Sequence, residues 1–507
     1  MVRSTDVLPP VGLMAGPGAI VPVRASGRAR PWHATRRLAL SVAGALLMAG
    51  CTTVGPDYKG PKSELLNAPA AQGPFASAAG VPVEATELPQ DWWRLYDDPT
   101  LDRLVGEALV ANTDLRVAAA NLARTEAVVD EARDTYGPEL EVEGEVQRRQ
   151  FSRQSYLRED PIPPLSVGGA GLRVSYQLDL FGQLKRIVEA AEADAEASVA
   201  LRDSVRVTVV ANVVRAYVEA CTAGEELVVN QSVVDIQDKS ADVLRRLGRA
   251  GRIARKDAFL ADAQTEESRA ALPEFEARRK TALFHLAVLT GRPPADFPSE
   301  VATCATPPHL KRPIPVGNGA SLLKRRPDVR EAERKLAGAT ARIGVAIGEL
   351  YPRISLGASM GTLGILKDLG TNATNHWSLG PLISWTMPTE GVRSRIRQAD
   401  ASAVAALASF DGTVLTALRE VEVSLTTYGR DLDRAARFEA ARNRALKAQK
   451  DAQILYNAGR TPLFDLLNAK RTVAEAEVAL SASKAQVADD QVSLFLALGG
   501  GWKQTES

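Results

Sequence analysis

The sequence predicts a mainly α-helical protein with a transmembrane β part. It is built from a helix–β-hairpin–long helix–helix unit that occurs twice. Three observations carry this prediction. Two pairs of segments, over 139–180 and 353–388, alternate apolar and polar residues with a period of two, as strands with one apolar face do. From Gly182 to about Leu247 no proline interrupts a helical pattern, a run of roughly 65 residues or near 100 Å. Equivalent residues also recur at a fixed separation. The offset is 459 − 251 = 208 for the glycines at two breaks, 465 − 257 = 208 for the aspartates beyond them, and 395 − 186 = 209 for an Arg-Ile pair. An offset held through long helices marks an internal duplication.

The chain opens with a signal over residues 1–50. Arg36-Arg37 precedes an apolar run, Leu38 to Gly50, and then Cys51. The run falls short of the roughly 20 residues a membrane-spanning helix needs, and reads as a secretory signal. Met48-Ala49-Gly50-Cys51 looks like a bacterial lipobox, with Cys51 the lipidated residue and the mature N-terminus. Residues 1–35 make an unusually long leading region, as a start codon assigned too early would. Thr52-Thr53 supplies no aspartate after the cysteine, which fits sorting to the outer membrane. Residues 51–90, with six prolines from Pro56 to Pro89, read as a lipidated extended tether with no core of its own.

The first repeat spans 91–291. Asp98 or Thr100 can cap its first helix, which ends at Tyr136-Gly137-Pro138. The hairpin follows: Leu140, Val142 and Val146 oppose Glu139, Glu141, Glu143 and Glu145, and on the return strand Leu172, Val174, Tyr176, Leu178 and Leu180 oppose Arg173, Ser175, Gln177 and Asp179. Gly168-Gly169-Ala170-Gly171 reads as a loop into that strand. The long helix breaks at Leu247–Gly251, and a helix of half its length, Asp257 to Thr290, returns. Two half-length helices stacked end to end would match one long helix. Residues 292–320 are a proline-rich linker, 321–499 the second repeat, and 500–507 a tail. In the second repeat a helix opens near Pro327. Its period changes at Tyr351-Pro352, and Ile354, Leu356, Ala358 and Met360 then alternate with Arg353, Ser355, Gly357 and Ser359.

The stretch Leu-Leu-Lys-Arg-Arg-Pro-Asp-Val-Arg-Glu-Ala-Glu-Arg-Lys-Leu over 322–336, with its sequel Arg342–Ser359, resembles the middle of the TolC-type outer-membrane efflux proteins, in their NodT/OprM-like lipoprotein subgroup. The segment from Asp91 through Asn112-Thr113-Asp114-Leu115-Arg116 resembles the same family's start, with Trp92-Trp93 as an anchoring contact. The resemblance covers about residues 45–502. Four strands per chain are too few for a membrane barrel, which takes about eight at least, and open edges cannot sit in lipid. The chain must therefore close a ring with copies of itself. Three copies give twelve strands, and the resemblance implies that homotrimer: a 12-stranded barrel on a coaxial periplasmic α-helical barrel. Phe151, Tyr156, Phe181, Tyr351, Trp377 and Trp385 lie in or near the hairpins, as interface girdles do.

The formal net charge of +1 excludes a nucleic-acid binder driven by bulk positive charge. No catalytic constellation, metal-ligand spacing or phosphate-binding loop is found, so no cofactor is expected. The four histidines are scattered at 33, 285, 309 and 376. Candidate lumen-lining residues are Glu141, Glu143, Glu145, Arg173, Gln177 and Asp179. In the resembled family the helix turns close the tunnel and dock a periplasmic adaptor hairpin. The residues here are Gly251, Arg252 and Asp257, and Gly459, Arg460 and Asp465; left-handed helix ends would explain the glycines equally well. The family's linker packs around the middle of the tunnel, which makes Cys221 and Cys304 candidates for one disulfide; two unrelated cysteines is the other reading. The resemblance implies an exit duct in the outer membrane, fed with drugs or other small molecules by an inner-membrane RND-type pump through the adaptor, and anchored in outer-membrane lipid. A pore-less periplasmic coiled-coil scaffold and an outlet for polypeptide secretion are the alternatives.

Overall fold

The computed structural model describes residues 53–500 and Trp502, except 155, 156, 158, 161 and 162. The signal, Cys51 and Tyr156 lie outside the described residues.

The helices follow from caps and periodicity. Asp98 accepts from the N–H groups of Thr100 and Leu101 at 2.8 and 3.2 Å and starts α1, Pro99–Ala111. Asn112 does the same for α2, Thr113–Asp134. The unbroken run becomes α3, Gln183–Arg249, and α4 returns as Arg255–Leu289. In the second repeat α5 (Gly319–Arg325) precedes α6 (Pro327–Gly348), α7 (Glu390–Asn457) and α8 (Leu463–Ala497). The lengths agree between repeats: 22 and 22 residues for α2 and α6, 67 and 68 for α3 and α7, 35 and 35 for α4 and α8. Helix α5 goes beyond the sequence reading. It exists because Asn318 and Ser321 form a reciprocal capping box, which holds a single short helix at its start.

The half-helices do stack end to end, and each repeat makes the splice the same way. In the first, the Asn112 Nδ2 that heads α2 donates to the carbonyl of Leu289, the last residue of α4, at 3.1 Å. In the second, Arg326 heads α6 and its Nη1 donates to the carbonyl of Ala497, the last residue of α8, at 2.7 Å. The acceptors keep the repeat offset, 497 − 289 = 208. Each guest group satisfies a carbonyl that a helix end leaves orphaned. The main hydrophobic core gathers at this level. It takes in Trp92, Leu104, Val213, Leu286, Val421 and Leu494, all buried. Trp92 stacks on Phe495 at 4.3 Å, so the tryptophan pair is a packing anchor.

The hairpins form one antiparallel sheet, β1 (Glu139–Arg149), β2 (Leu165–Leu178), β3 (Arg353–Ile365) and β4 (Asn375–Ser384), in that order. Three expectations are corrected here. Gly168–Gly171 lies inside β2, not in a loop. The last strand stops at Ser384, and Trp385 turns back so that its Nε1 donates to Leu350 O at 3.1 Å. Asp179 falls beyond β2, and its carboxylate accepts from the N–H groups of Leu184 and Lys185 at 3.1 and 2.9 Å. It serves the positive end of α3, so its assignment to the strand's polar face is withdrawn.

The amino-terminal tether is also corrected. Short helical turns at Leu65–Asn67, Pro69–Gln72 and Ala76–Ala78 interrupt its extended course, and it is packed down. Ala71, Phe75 and Leu88 are buried, and Glu422 of α7 accepts from the N–H groups of Ala76 and Ser77 at 2.8 Å each. Val83–Glu84 pairs in parallel with Ile314–Pro315 of the linker. Tether and linker thus form one belt around the level of the splices.

Candidate functional site: a two-faced sheet, a belt and two helix turns

Strand register sorts the sheet into two faces. One carries rows such as Glu141–Arg173–Ser359–Ser378 and Glu143–Gly171–Gly361–His376. The other carries Leu140–Val174–Ala358–Leu379 and Val142–Leu172–Met360–Trp377. The apolar face is uncovered in the protomer: Trp377 is 80 % exposed, Leu379 78 % and Val142 72 %. A bare apolar face on a sheet with two unpaired edges, β1 and β4, cannot rest in water. Lipid on that face and a neighbouring strand at each edge resolve both problems.

The polar face is charged unevenly. Glu141 and Glu143 each lie 3.4 Å from the Arg173 guanidinium. Glu139 accepts from the Ser175 hydroxyl, and Glu145 accepts from Gln147 Nε2 at 2.8 Å. Gln177, opposite Ser355, continues this face. At the joint between sheet and helices Phe181 stacks on Tyr351 at 4.4 Å, one hinge aromatic from each repeat.

At the belt the expected pair is joined: Cys221 of α3 and Cys304 of the linker form a disulfide, with Cα atoms 4.8 Å apart. Gly224, one turn on, lies against the Cys304 carbonyl so closely that a Cβ would overlap it. The linker therefore needs both a cysteine and a gap at this point on α3.

The helix turns repeat each other. Gly251 and Gly459 take φ of +69° and +67°, and the following N–H groups, of Arg252 and Arg460, both reach back to Leu247 O and Leu455 O at 2.9 Å. This is a Schellman end, which favours glycine. Asp257 and Asp465 sit in the first turns of α4 and α8, where a carboxylate suits the helix dipole. Among the described residues no ion pair within the protomer engages Arg252, Asp257, Arg460 or Asp465. The first helix pair is tied above its turn by Arg245–Asp262 at 2.6 Å, the second by Arg442–Glu477 at 3.6 Å.

One group was not legible in the sequence. Asp490 of α8 is buried, takes Gln486 Nε2 on Oδ1 at 3.0 Å and leaves Oδ2 without a partner. Burial, then the facing Asp431 carboxyl of α7, push it up to about 6 from 3.8. Neighbouring Asp489 is engaged by Arg215 at 2.9 Å. An acid whose pKa is raised on folding stabilises least when ionised, so this site loses stability as pH rises from about 4 through 6. Asp490→Asn should therefore melt higher than the parent at pH 7.5 and converge with it near pH 3. Parallel melts at both pH values check this; an equal gap at the two would sink it.

A two-faced, open-edged sheet carried on helices about 100 Å long defines a channel subunit that closes with its copies. Comparison with known proteins agrees. The outer membrane efflux protein family matches residues 104–292 and 319–500, and the chain belongs to that family. Nodulation protein T of Rhizobium leguminosarum bv. trifolii is 28% identical over 467 residues, covering 90% of this chain and 96% of the relative. The antibiotic efflux pump outer membrane protein ArpC of Pseudomonas putida is 29% identical over 475 residues, covering 90% and 94%. Among solved structures, the outer-membrane channel OprN superposes with a TM-score of 0.80 at 32% identity, over 89% of this chain and 99% of that one. The open state of the Neisseria gonorrhoeae MtrE outer membrane channel gives 0.76 at 27% identity, over 89% and 98%. The protein is an outer-membrane efflux channel: a trimer whose four-stranded sheets close one 12-stranded barrel on a periplasmic helical barrel.

Proposed function

We propose that this channel is the passive exit duct of a tripartite efflux system, doing no chemistry of its own. Small molecules, drugs among them, reach it from a proton-driven RND-type pump of the inner membrane through a periplasmic adaptor. The turns at Gly251–Asp257 and Gly459–Asp465 form its periplasmic mouth and meet the adaptor. A lipid on Cys51 holds the amino terminus in the outer membrane. The observation that supports the duct best is the sheet with one charged face, one bare apolar face and two open edges. Purified trimer in a planar bilayer tests it: discrete conductance steps are expected, and silence under every opening condition would leave the pore-less scaffold.

The charged face, with Glu141, Glu143, Glu145, Arg173 and Gln177, lines the lumen in this reading. Its acid excess favours cations, and lumen substitutions tune selectivity more than stability. Changing Glu141, Glu143 and Glu145 to Gln should lower the cation/anion permeability ratio. Arg173→Gln frees two carboxylates and should raise it. Reversal potentials in a salt gradient read both; no shift in either variant removes these residues from the lumen.

A further inference from the structure

The first described residues do not hang free. Thr53–Tyr58 lies along α3 and α6, beside the joint with the sheet. Val54 is buried, and its N–H donates to Phe181 O at 2.9 Å. Arg186 of α3, its side chain only 3% exposed, grips the segment. Nε donates to Val54 O at 2.8 Å, and Nη2 to Gly55 O at 3.3 Å and to Asp57 Oδ1 at 2.7 Å. Nη1 is steadied by Glu189 at 2.6 Å. The guanidinium in turn holds the Asp57 carboxyl below its usual range.

The groove is cut for main chain. Gly55, at φ +81°, meets Gly344 of α6 so closely that a Cβ on Gly55 would strike the Gly344 backbone, and a Cβ on Gly344 would come 2.8 Å from Val54 O. Gly182, at φ +76°, faces Thr53 in the same way. Emptying the groove would leave a desolvated guanidinium without its carbonyls, which costs more than losing an ordinary hydrogen bond. Among the described residues Arg395, at the offset of 209 from Arg186, grips no such strap; it bonds Glu349 of its own repeat through Nε at 2.7 Å.

We infer that Arg186 is the positioning residue of the lipid anchor: it fixes where an acylated amino terminus meets the membrane, directly beside the sheet's own point of entry. This rests on the acylation of Cys51 proposed above. A lipid attached two residues before Thr53 has a covalent reach of about 7 Å from it. Thr53 touches Gly182, four residues past the end of β2. The anchor then enters the bilayer beside the barrel, within that reach of Thr53.

Full-length protein in liposomes tests this, with the parent compared with Arg186→Gln and Asp57→Asn. Trypsin should cut the parent slowly after the exposed Lys59. Cleavage of a locally opened segment follows its opening equilibrium, so Arg186→Gln should be cut at least about tenfold faster, with the digestion pattern of the helices unchanged. Asp57→Asn keeps the two carbonyl bonds and should lie between; it also serves if Arg186→Gln does not fold. A fluorophore on Lys59→Cys, quenched by lipids brominated near the headgroup, should be quenched less in the Arg186→Gln background. Equal cutting and equal quenching with and without Arg186 would overturn the inference. The mass of the amino-terminal peptide separates the two layers: a parent without acyl mass defeats the anchor, while the cleavage ratio still decides the clamp.

Discussion

Replacing Cys221 and Cys304 together with alanine should lower stability by about 4–5 kcal/mol, the chain-entropy value for a loop of this size, less any strain. The bridge closes a loop of 83 residues that runs down the rest of α3, back along α4 and into the linker. Cleaving it releases the linker from the helix and lets the unfolded chain expand. Cys221 is fully buried, but alanine fits its place with a cavity of little more than one sulfur. The loss therefore reports the cross-link more than packing. Denaturation midpoints of parent and variant, each with and without reductant, check the expectation. Reductant should move the parent toward the variant and leave the variant still. A variant as stable as the oxidised parent would show that belt and helix hold each other without the bond.

The second large effect should come from Arg326→Ala. Its Nη1 caps Ala497 O and lies 2.8 Å from Glu420 of α7, while Nε and Nη2 fork onto Asp328 at 2.9 and 2.7 Å. The side chain is about one-tenth exposed. The carboxylates left behind are a third and two-fifths exposed, so the loss should be roughly 3 kcal/mol, at the low end for a buried ion pair. Arg326→Lys should recover only part, because one ammonium cannot hold a fork and a carbonyl together. Asn112→Ala, at the matching splice of the first repeat, removes a neutral bond and should cost about 1 kcal/mol, plus a loss of the same order for the α2 cap. Thermal or denaturant unfolding of the three variants orders them, and equal losses at the two splices would contradict the account.

Periodicity made much of this fold legible. The long helices, the four strands and the offset of 208 are local or repeated signals, and residue spacing carries them. Most of what escaped depends on partners far away in the chain. The glycines of 168–171 carry no apolar alternation, so they read as loop; pairing with β1 on one side and β3 on the other makes them strand. Asp179 fits the alternation and still leaves the sheet, because the first N–H groups of α3 draw it. The prolines of 56–89 suggest extension, but Pro69 instead starts a helical turn, and none of them speaks of the helices that the segment lies upon. The basic pair Arg325-Arg326 before Pro327 has no local reason in the sequence. The reason is two carbonyls about 170 residues later, Leu498 O at 2.8 Å from Arg325 Nε and Ala497 O at 2.7 Å from Arg326 Nη1. Asp490 had no signal at all, since only the packing of α7 on α8 makes it unusual.

The splices give the tunnel wall two kinds of stave. Helices α3 and α7 are single pieces and carry bending along their whole length, like unjointed planks. The α2–α4 and α6–α8 staves are cut at mid-height, and each passes twist through one hydrogen-bonded butt joint. A torque applied at the lower rim therefore reaches the membrane end more directly along the unjointed staves than through the spliced ones. The belt of tether, linker and disulfide sits at the level of the cuts, as a hoop does on a cask. It resists spreading where the jointed staves are weakest, and leaves the rim below it free to turn.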